Sequence, residues 1–514
     1  MTAVFQESAL RDLPPADRAL FQSFGAGPTR TPPFHHVHHA FEAQAARRPR
    51  GIAVEHLGRS LTYAELDARA DLLAELLTRQ GVRPGDHVGL FLTRSVSMVV
   101  GILAVLKAGA AYVPQDVRIT PTAHLRHIVR IASIDVVLTT TADAAALPDH
   151  LATIITIDTL PDAGPVRRTI VTEPEPDIAV VIFTSGTTGR PNGVRVSHTN
   201  LCNVLLTAPG HLGITAGTRV SQLLNIAFDM AVWEILGTLA NGGTLVIRGD
   251  SLDQAASTVD VVIATPSVLA SLDPDTCQRV HTVAVAGERC PQALADRWSR
   301  HATFHNACGP TEVTIVNTVQ RYDPNLGLLT IGRPVPNTTV YVLDENLRPC
   351  RIGEVGEMWA GGNCVTEGYL GDDELTAQRY LPDPFLGGNH VMFRTRDLGS
   401  WTGDGQLRHH GRTDDQVKVR GFRVELDAVT SALERATDCG HATTLVHNGK
   451  LVGFISPATA TPEQARRAVE QRLPYYCVPT LIVPVDTLPT TERGKVDRRA
   501  LVSRLDGPQQ ETVA

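Results

Sequence analysis

The chain has 514 residues, 43% hydrophobic and 20% charged, with a formal net charge of −7. That length exceeds what one hydrophobic core organises, so two or more domains are expected. The acidic balance and the lack of any Lys/Arg stripe argue against a nucleic-acid partner; the longest apolar stretch, Met98–Leu106, falls far short of the ~20 residues that span a bilayer, so no membrane partner is expected.

Eight cysteines show no C-x-x-C or zinc spacing and read as reduced thiols. No charged segment followed by an apolar one opens the chain, so a cytoplasmic protein without a signal peptide is expected. Of the 47 Lys and Arg residues only four are lysine: Lys107, Lys418, Lys450 and Lys495.

Residues 1–34 are rich in Pro, Ala and Gly without clear periodicity and read as an N-terminal extension. His35, His36, His38 and His39 follow. Four imidazoles invite a metal, but F-E-A-Q-A-A-R-R-P continues with helical spacing and no carboxylate or cysteine stands at ligand spacing, so a helix start is the plainer reading. From 35 to 411, apolar runs alternate with helical patterns, as in His87–Leu92 then Ser95–Lys107, and Ala123–Arg130 then Val136–Thr139. Alternation of this kind predicts βαβ units: an α/β fold whose large domain has parallel or mixed sheets covered by helices.

Within that domain the apolar run Ile178–Phe183 is expected to be a buried strand feeding T-S-G-T-T-G-R-P-N-G (184–193). Glycines let backbone N–H groups approach an anion, and the hydroxyls of Thr184, Ser185, Thr187 and Thr188 add donors, so the loop suits phosphate. G-x-x-x-x-G-K-[ST] is absent, which excludes that phosphate loop, and an exposed turn is the alternative. A short β-like run at 302–305 precedes N-A-C-G-P-T-E (306–312), where Thr311 and Glu312 are suited to orient phosphate and hold Mg2+, or simply to start a helix. F-R-T-R-D-L (393–398) places Asp397 at an expected strand end, where a carboxylate accepts both ribose hydroxyls; an ion pair with Arg394 or Arg396 fits equally. At G-R-T-D-D-Q-V-K-V-R-G (411–421) the texture becomes a polar, Gly-bounded strand pair. Helical patterns at Ala428–Ala436 and Pro462–Arg472 and several short strands then predict a small α+β C-terminal domain, residues 412–510. R-G-K-V-D-R-R (493–499) presents Lys495 on a glycine turn.

Taken in order, these strings resemble one family. L-T-Y-A-E-L (61–66), L-K-A-G-A-A-Y-V-P (106–114), T-S-G-T-T-G (184–189), F-D (228–229), G-P-T-E (309–312) and E-G-Y-L (367–370) all match. So do the 411–426 segment, L-P-x-Y-x-V-P (473–479) and G-K-V-D-R (494–498). They are similar to adenylate-forming enzymes that activate carboxylic acids with ATP, most closely the adenylation domains of nonribosomal peptide synthesis, over residues 35–505.

The resemblance implies ATP and Mg2+ as cofactors. It places the β- and γ-phosphates on Thr184, Ser185, Gly186, Thr187, Thr188 and Gly189, with Thr311 orienting phosphate and Glu312 near Mg2+. Asp397 and Arg412 would hold the ribose, and Lys495 would stand between the substrate carboxylate and the α-phosphate. Asp414 or its neighbour looks like the hinge on which the mobile C-terminal lid rotates, so that Lys418 faces a second site where a phosphopantetheine thiol takes the acyl group. The physics agrees: a carboxylate attacking a triphosphate meets like charge, and positioned cations offset it.

The resemblance also assigns an acid pocket. Asp229 matches the carboxylate that pairs with a substrate ammonium. The other pocket positions are Met230, Trp233, Ile263, Ala284, Ala286, Ala307, Ile315 and Val316, all apolar, so a charged side chain would be left unpaired. A small or medium hydrophobic amino acid is expected, α or β; F-D-M-A-V-W is also similar to enzymes that load β-amino acid starters in macrolactam biosynthesis. No condensation motif accompanies His35–His36 and no carrier segment follows residue 505, so delivery to a discrete acyl or peptidyl carrier protein is expected. Three positions depart from the family pattern: Asn192 for lysine in the loop, Cys308 for the adenine-stacking aromatic, and Arg396 for the glycine of R-T-G-D. An acyl- or aryl-CoA ligase is the nearest alternative, and a non-catalytic nucleotide-binding protein is the alternative of another class.

Overall fold

The computed structural model describes residues 5–160, 177–186, 190–325, 327–414, 416–419, 421–490 and 496–506. The chain divides into two units. The larger holds most of the chain up to Asp414; the smaller holds the chain beyond it together with 119–124 and 185–191.

Two α/β sheets dominate the larger unit, as the alternation predicts. Among the described residues the first has nine strands. Six neighbours run parallel, in the order Thr303–Cys308, Thr282–Val285, Val261–Ala264, Arg219–Gln222, Thr244–Ile247 and Ile52–His56. Antiparallel strands close both edges. The second sheet runs Thr153–Thr156, Val136–Thr139, His87–Phe91, Ala111–Gln115, Ile178–Thr184 in parallel, then Asn192–Ser197 antiparallel.

Capping and periodicity explain the helices. Thr62 and Glu65 form a reciprocal cap on Tyr63–Arg79, whose buried Leu66, Ala70, Leu73 and Leu77 recur at helical spacing. Ser95 Oγ accepts from Met98 N at 3.2 Å and starts the crossover helix Val96–Lys107. Every residue from Met98 to Leu106 is buried, which accounts for the long apolar run: this helix is covered on all sides. Among the described residues no helix is long and apolar enough to cross a membrane.

A third, antiparallel sheet pairs Thr338–Leu343, Gly356–Gly362, Val391–Trp401, Tyr380–Pro382 and Leu407–Arg412. The N-terminal segment packs here. The helix Pro15–Phe24 buries Phe21 beside Phe5, Tyr341 and Phe385, and the last two rings stack at 4.2 Å.

In the smaller unit, Gln416–Val419 and Phe422–Glu425 form a hairpin, followed by the helix Leu426–Leu433. A three-stranded sheet (His441–His447, Lys450–Ser456, Leu481–Pro484) and the helix Pro462–Glu470 complete a core around Val424, Val429, Leu433, Ile455 and Val469.

Candidate active site

The strand Ile178–Thr184 is buried, as expected, and ends at the loop; Asn192 pairs directly with Thr184 on the returning strand. The returning strand then recruits a second motif. Gly193 O accepts from Leu370 N at 2.7 Å, and Arg195 exchanges backbone hydrogen bonds with Glu367 and Gly368. E-G-Y-L is thereby fixed against the flank of the loop, and the Tyr369 hydroxyl donates to Glu312 Oε1 at 2.7 Å. Glu312 itself is fully buried on the short 3-10 turn Thr311–Val313, its carbonyl oxygen accepting from Thr366 N and Oγ1 at 3.1 Å. E-G-Y-L and G-P-T-E, distant in sequence, thus meet beside the strand pair Ile178–Thr184 and Asn192–Ser197, at the carboxyl ends of parallel strands, where open α/β sheets place ligands. The glycine of G-P-T-E has a packing reason: a Cβ at Gly309 would sit 2.7 Å from Val316 Cα. Of the loop, Thr187, Thr188 and Gly189 lie outside the described residues; Ser185 Oγ donates to Arg423 O at 2.9 Å within the smaller unit.

Asp397 is not at a strand end. It lies inside the eleven-residue strand Val391–Trp401, opposite Arg412 on the neighbouring strand. The polar stretch Arg394–Asp397 masks the strand pattern because the chain kinks there: Arg396 has φ 61, a left-handed conformation in which glycine is the unstrained residue. Arg412 Nη1 donates to Asp397 Oδ1 at 2.8 Å, and its Nε and Nη2 hold both oxygens of Asp414 at 2.8 and 3.0 Å. His409 Nε2 lies 3.2 Å from Asp397 Oδ1, and Arg396 Nη1 is 3.5 Å from Asp414 Oδ2. Arg394 pairs instead with Glu357.

Of the expected acid-pocket residues, Met230, Trp233, Ile263, Ala284, Ala286, Ala307, Ile315 and Val316 are buried in the main core of the larger unit, and Ile263, Ala284 and Ala307 lie on neighbouring strands of the nine-stranded sheet. Register explains it: Ile263 is beside Ala284 and Ala284 beside His305, so alternate residues share a face, while Val262, Val283, Val285 and Phe304 line the other. Half-buried Asp229 opens the helix Asp229–Ala240, whose N-terminal dipole favours a carboxylate. Met230 Sδ lies 3.3 Å from where a Cβ at Gly287 would be, so the helix start stands over the carboxyl end of Thr282–Val285. Trp233 is locked by Nε1 donating to Gly210 O at 2.6 Å. Thr314 and Ile315 both have positive φ, and the turn they make carries Ile315 and Val316 into that core.

Two residues of this region escaped the sequence reading. Glu234 is fully buried on the same helix and accepts from Leu223 N (2.6 Å) and Leu224 N (3.1 Å), holding the segment that leads to Asp229. Burial pushes its carboxyl pKa up to about 8. His305, two positions before Ala307 and on the same face, is 8% exposed, and burial followed by the Arg321 charge takes its pKa down to about 4. Counting back by two from Ala307 finds it. Lys418 is exposed on the hairpin of the smaller unit, paired with Arg423, and Lys495 lies outside the described residues.

His36, His38 and His39 stand at the start of the helix Val37–Arg47 with His198 beside them, ring centroids 4.3 to 5.8 Å apart. Among the described residues no group of three or more His, Cys, Asp or Glu is arranged to hold a metal.

Comparison with known proteins agrees with this geometry. The family described as AMP-binding enzyme matches residues 41–370. Adenylate-forming reductase 03009 of Coprinopsis cinerea is 46% identical over 499 residues, 96% of this chain and 49% of its own length. The chain therefore spans about half of that relative. Novobiocin biosynthesis protein H of Streptomyces niveus is 36% identical over 495 residues, 90% of this chain and 81% of its own. Among solved structures, holo-PA1221, an NRPS protein containing adenylation and PCP domains and bound to a vinylsulfonamide inhibitor, superposes with a TM-score of 0.82 at 28% identity, covering 91% of this chain and 84% of that one.

Proposed function

The chain belongs to the AMP-binding enzymes, the adenylate-forming superfamily, with nonribosomal peptide synthetase adenylation domains among its homologues and structural neighbours, and we propose that it adenylates a small-to-medium, largely apolar amino acid, α or β. The observation that carries this reading is the apolar set Ile263, Ala284, Ala286 and Ala307 on one face of the sheet, with Met230 and Trp233 buried on the helix that Asp229 opens. A fatty acid offers no ammonium to pair with that carboxylate.

In the first half-reaction a substrate carboxylate oxygen bonds to the α-phosphorus, and the bond to the bridging oxygen breaks as pyrophosphate leaves. Thr184, Ser185, Gly186 and Thr311 orient phosphate with Thr187, Thr188 and Gly189; Asp397 and Arg412 hold the ribose; Lys495 offsets the charge that builds up. Glu312 fits Mg2+, since a buried carboxylate suits a hard cation that takes its remaining ligands from phosphate and water. When bound, Mg2+ supplies charge neutralisation on the phosphates. In the second half-reaction a phosphopantetheine thiol on a carrier protein bonds to the acyl carbon, the bond to AMP breaks, and the thiol proton passes to solvent. Lys418 attends this step, residues 412–510 act as the lid, and Asp414 is its hinge.

Pyrophosphate exchange across α- and β-amino acids, aryl acids and fatty acids tests the substrate, β-amino acids of macrolactam starter type included. Exchange led by fatty or aryl acids, with thioester forming on free CoA rather than on a phosphopantetheinylated carrier, makes the protein a CoA ligase instead. A second reading rests on the Coprinopsis relative, whose name joins adenylate formation to reduction: the acyl group activated here is then reduced rather than condensed. An aldehyde product in the intact protein, supplied with a nicotinamide reductant, decides for it.

A further inference from the structure

We infer that His305 is a specificity-determining residue of the acid pocket, taking a hydroxyl or amide on the far part of the substrate. The inference rests on the adenylation reading and narrows its substrate class: an amino acid of largely apolar side chain that ends in a neutral hydrogen-bonding group.

Position carries the argument. His305 lies on the strand Thr303–Cys308, directly beside Ala284 and two residues before Ala307. Alternation sends its ring to the face of Ile263, Ala284, Ala286 and Ala307, because the intervening Phe304 belongs to the opposite core and the Asn306 amide donates to Thr330 O. Alanine projects one carbon from a strand, so the floor beside the imidazole is low. Thr282 and Thr303 lie on the same face one alternation earlier, and among Ile263, Ala284, His305, Ala286 and Ala307 the ring is the polar group.

Burial then makes it matter. His305 is 8% exposed and its Nδ1 has no hydrogen-bond partner. An unmet buried polar atom costs free energy that a ligand group recovers on binding. The ring is neutral at pH 7, since burial and Arg321 hold its pKa near 4, so it offers one donor and one acceptor and no charge. A hydroxyl or amide suits both.

The test is kcat/KM for pyrophosphate exchange on pairs of near-equal shape: valine and threonine, leucine and asparagine, phenylalanine and tyrosine, and, without an amine, benzoate and 4-hydroxybenzoate. The wild-type protein is expected to favour the hydrogen-bonding member of its best pair by about tenfold or more. His305→Leu should cut that ratio about tenfold, and His305→Gln should restore part of it. A preference for the hydrocarbon member in every accepted pair overturns the inference, and needs no variant to fold. So does a ratio left unchanged in His305→Leu. Exchange confined to the benzoate pair refutes amine recognition while leaving His305 readable on that pair; exchange with no acid refutes both.

Discussion

The Tyr369 hydroxyl donates to Glu312 Oε1 over 2.7 Å, and both side chains are buried. That bond joins E-G-Y-L to G-P-T-E and leaves the carboxylate oriented by a neutral donor. Removing the donor should loosen the carboxylate without removing its charge. Tyr369→Phe is expected to lower kcat for pyrophosphate exchange about tenfold and to raise the Mg2+ concentration needed for half-maximal rate. Glu312→Gln should cost more, on the order of 10²–10³. A Tyr369→Phe enzyme with unaltered Mg2+ dependence would show that the bond only supports packing.

Two lysines should separate the two half-reactions. Lys495→Ala is expected to lose exchange by roughly 10²–10³ while still binding ATP, as loss of a transition-state cation does. Lys418→Ala should lose more carrier thioester than exchange. Full exchange by Lys495→Ala sinks the assignment, and equal losses in both assays for Lys418→Ala remove its separate role.

Lys107 has a different use. Its Nζ lies 2.5 Å from Asp71, 2.6 Å from Asp67 and 3.2 Å from Glu42, at the end of the buried crossover helix. Burial alone would lower its pKa; the facing carboxylates of Asp67 and Asp71 outweigh that and leave it raised. Lys107→Met strands three carboxylates and is expected to destabilise by about 3–5 kcal/mol, read by urea unfolding. A loss under about 1 kcal/mol would mean that water already screens the cluster.

What the sequence could convey follows from how locally each feature is encoded. The phosphate loop and G-P-T-E are contiguous, and the strands and crossover helix around them carry their own periodicity and caps, as Ser95 does for Val96–Lys107. Tyr369 and Glu312 stand 57 residues apart, so their bond depends on the Asn192–Ser197 strand pairing with 367–370, which no local pattern announces. The partners of Lys107 likewise come from two other helices. Asp397 reads as a strand end for a physical reason: polar residues on both faces of a kinked strand imitate one. His305 is hidden in an otherwise apolar-looking run, where its face is set by register with Ala284.

Arg396 occupies a backbone conformation that favours glycine, φ 61, and gains in return a 3.5 Å ion pair to Asp414. The strain costs roughly 1 kcal/mol, and a partly exposed pair returns at most about that much. Arg396→Ala keeps the strain and loses the pair; Arg396→Gly loses both. The Arg396→Gly variant is therefore expected to be more stable than the Arg396→Ala variant by about 1 kcal/mol in denaturant unfolding. The reverse order would show that neighbouring contacts relieve the strain at this position.

His38 and His198, each 2% exposed, impose a pH limit on the fold. Burial first, then repulsion from neighbouring groups, holds both imidazoles well below 6.5; the neighbours are His36 and His39 for both, with Lys107 and His198 adding for His38. A depressed folded pKa means that the unfolded chain takes up protons below about 6.5 that the folded chain refuses. Stability is then intact above 6.5 and falls as the pH drops, by up to about 1.4 kcal/mol per pH unit for each group. His198 Nδ1 also accepts from Val37 N at 3.3 Å, which requires the unprotonated nitrogen and ties the same titration to the helix start. Denaturant unfolding at pH 8, 6.5 and 5.5 should show a flat upper range and a steep lower one, ahead of the carboxylate range. His38→Leu is expected to flatten the lower slope by close to one proton; a slope equal to wild type in that variant refutes the assignment.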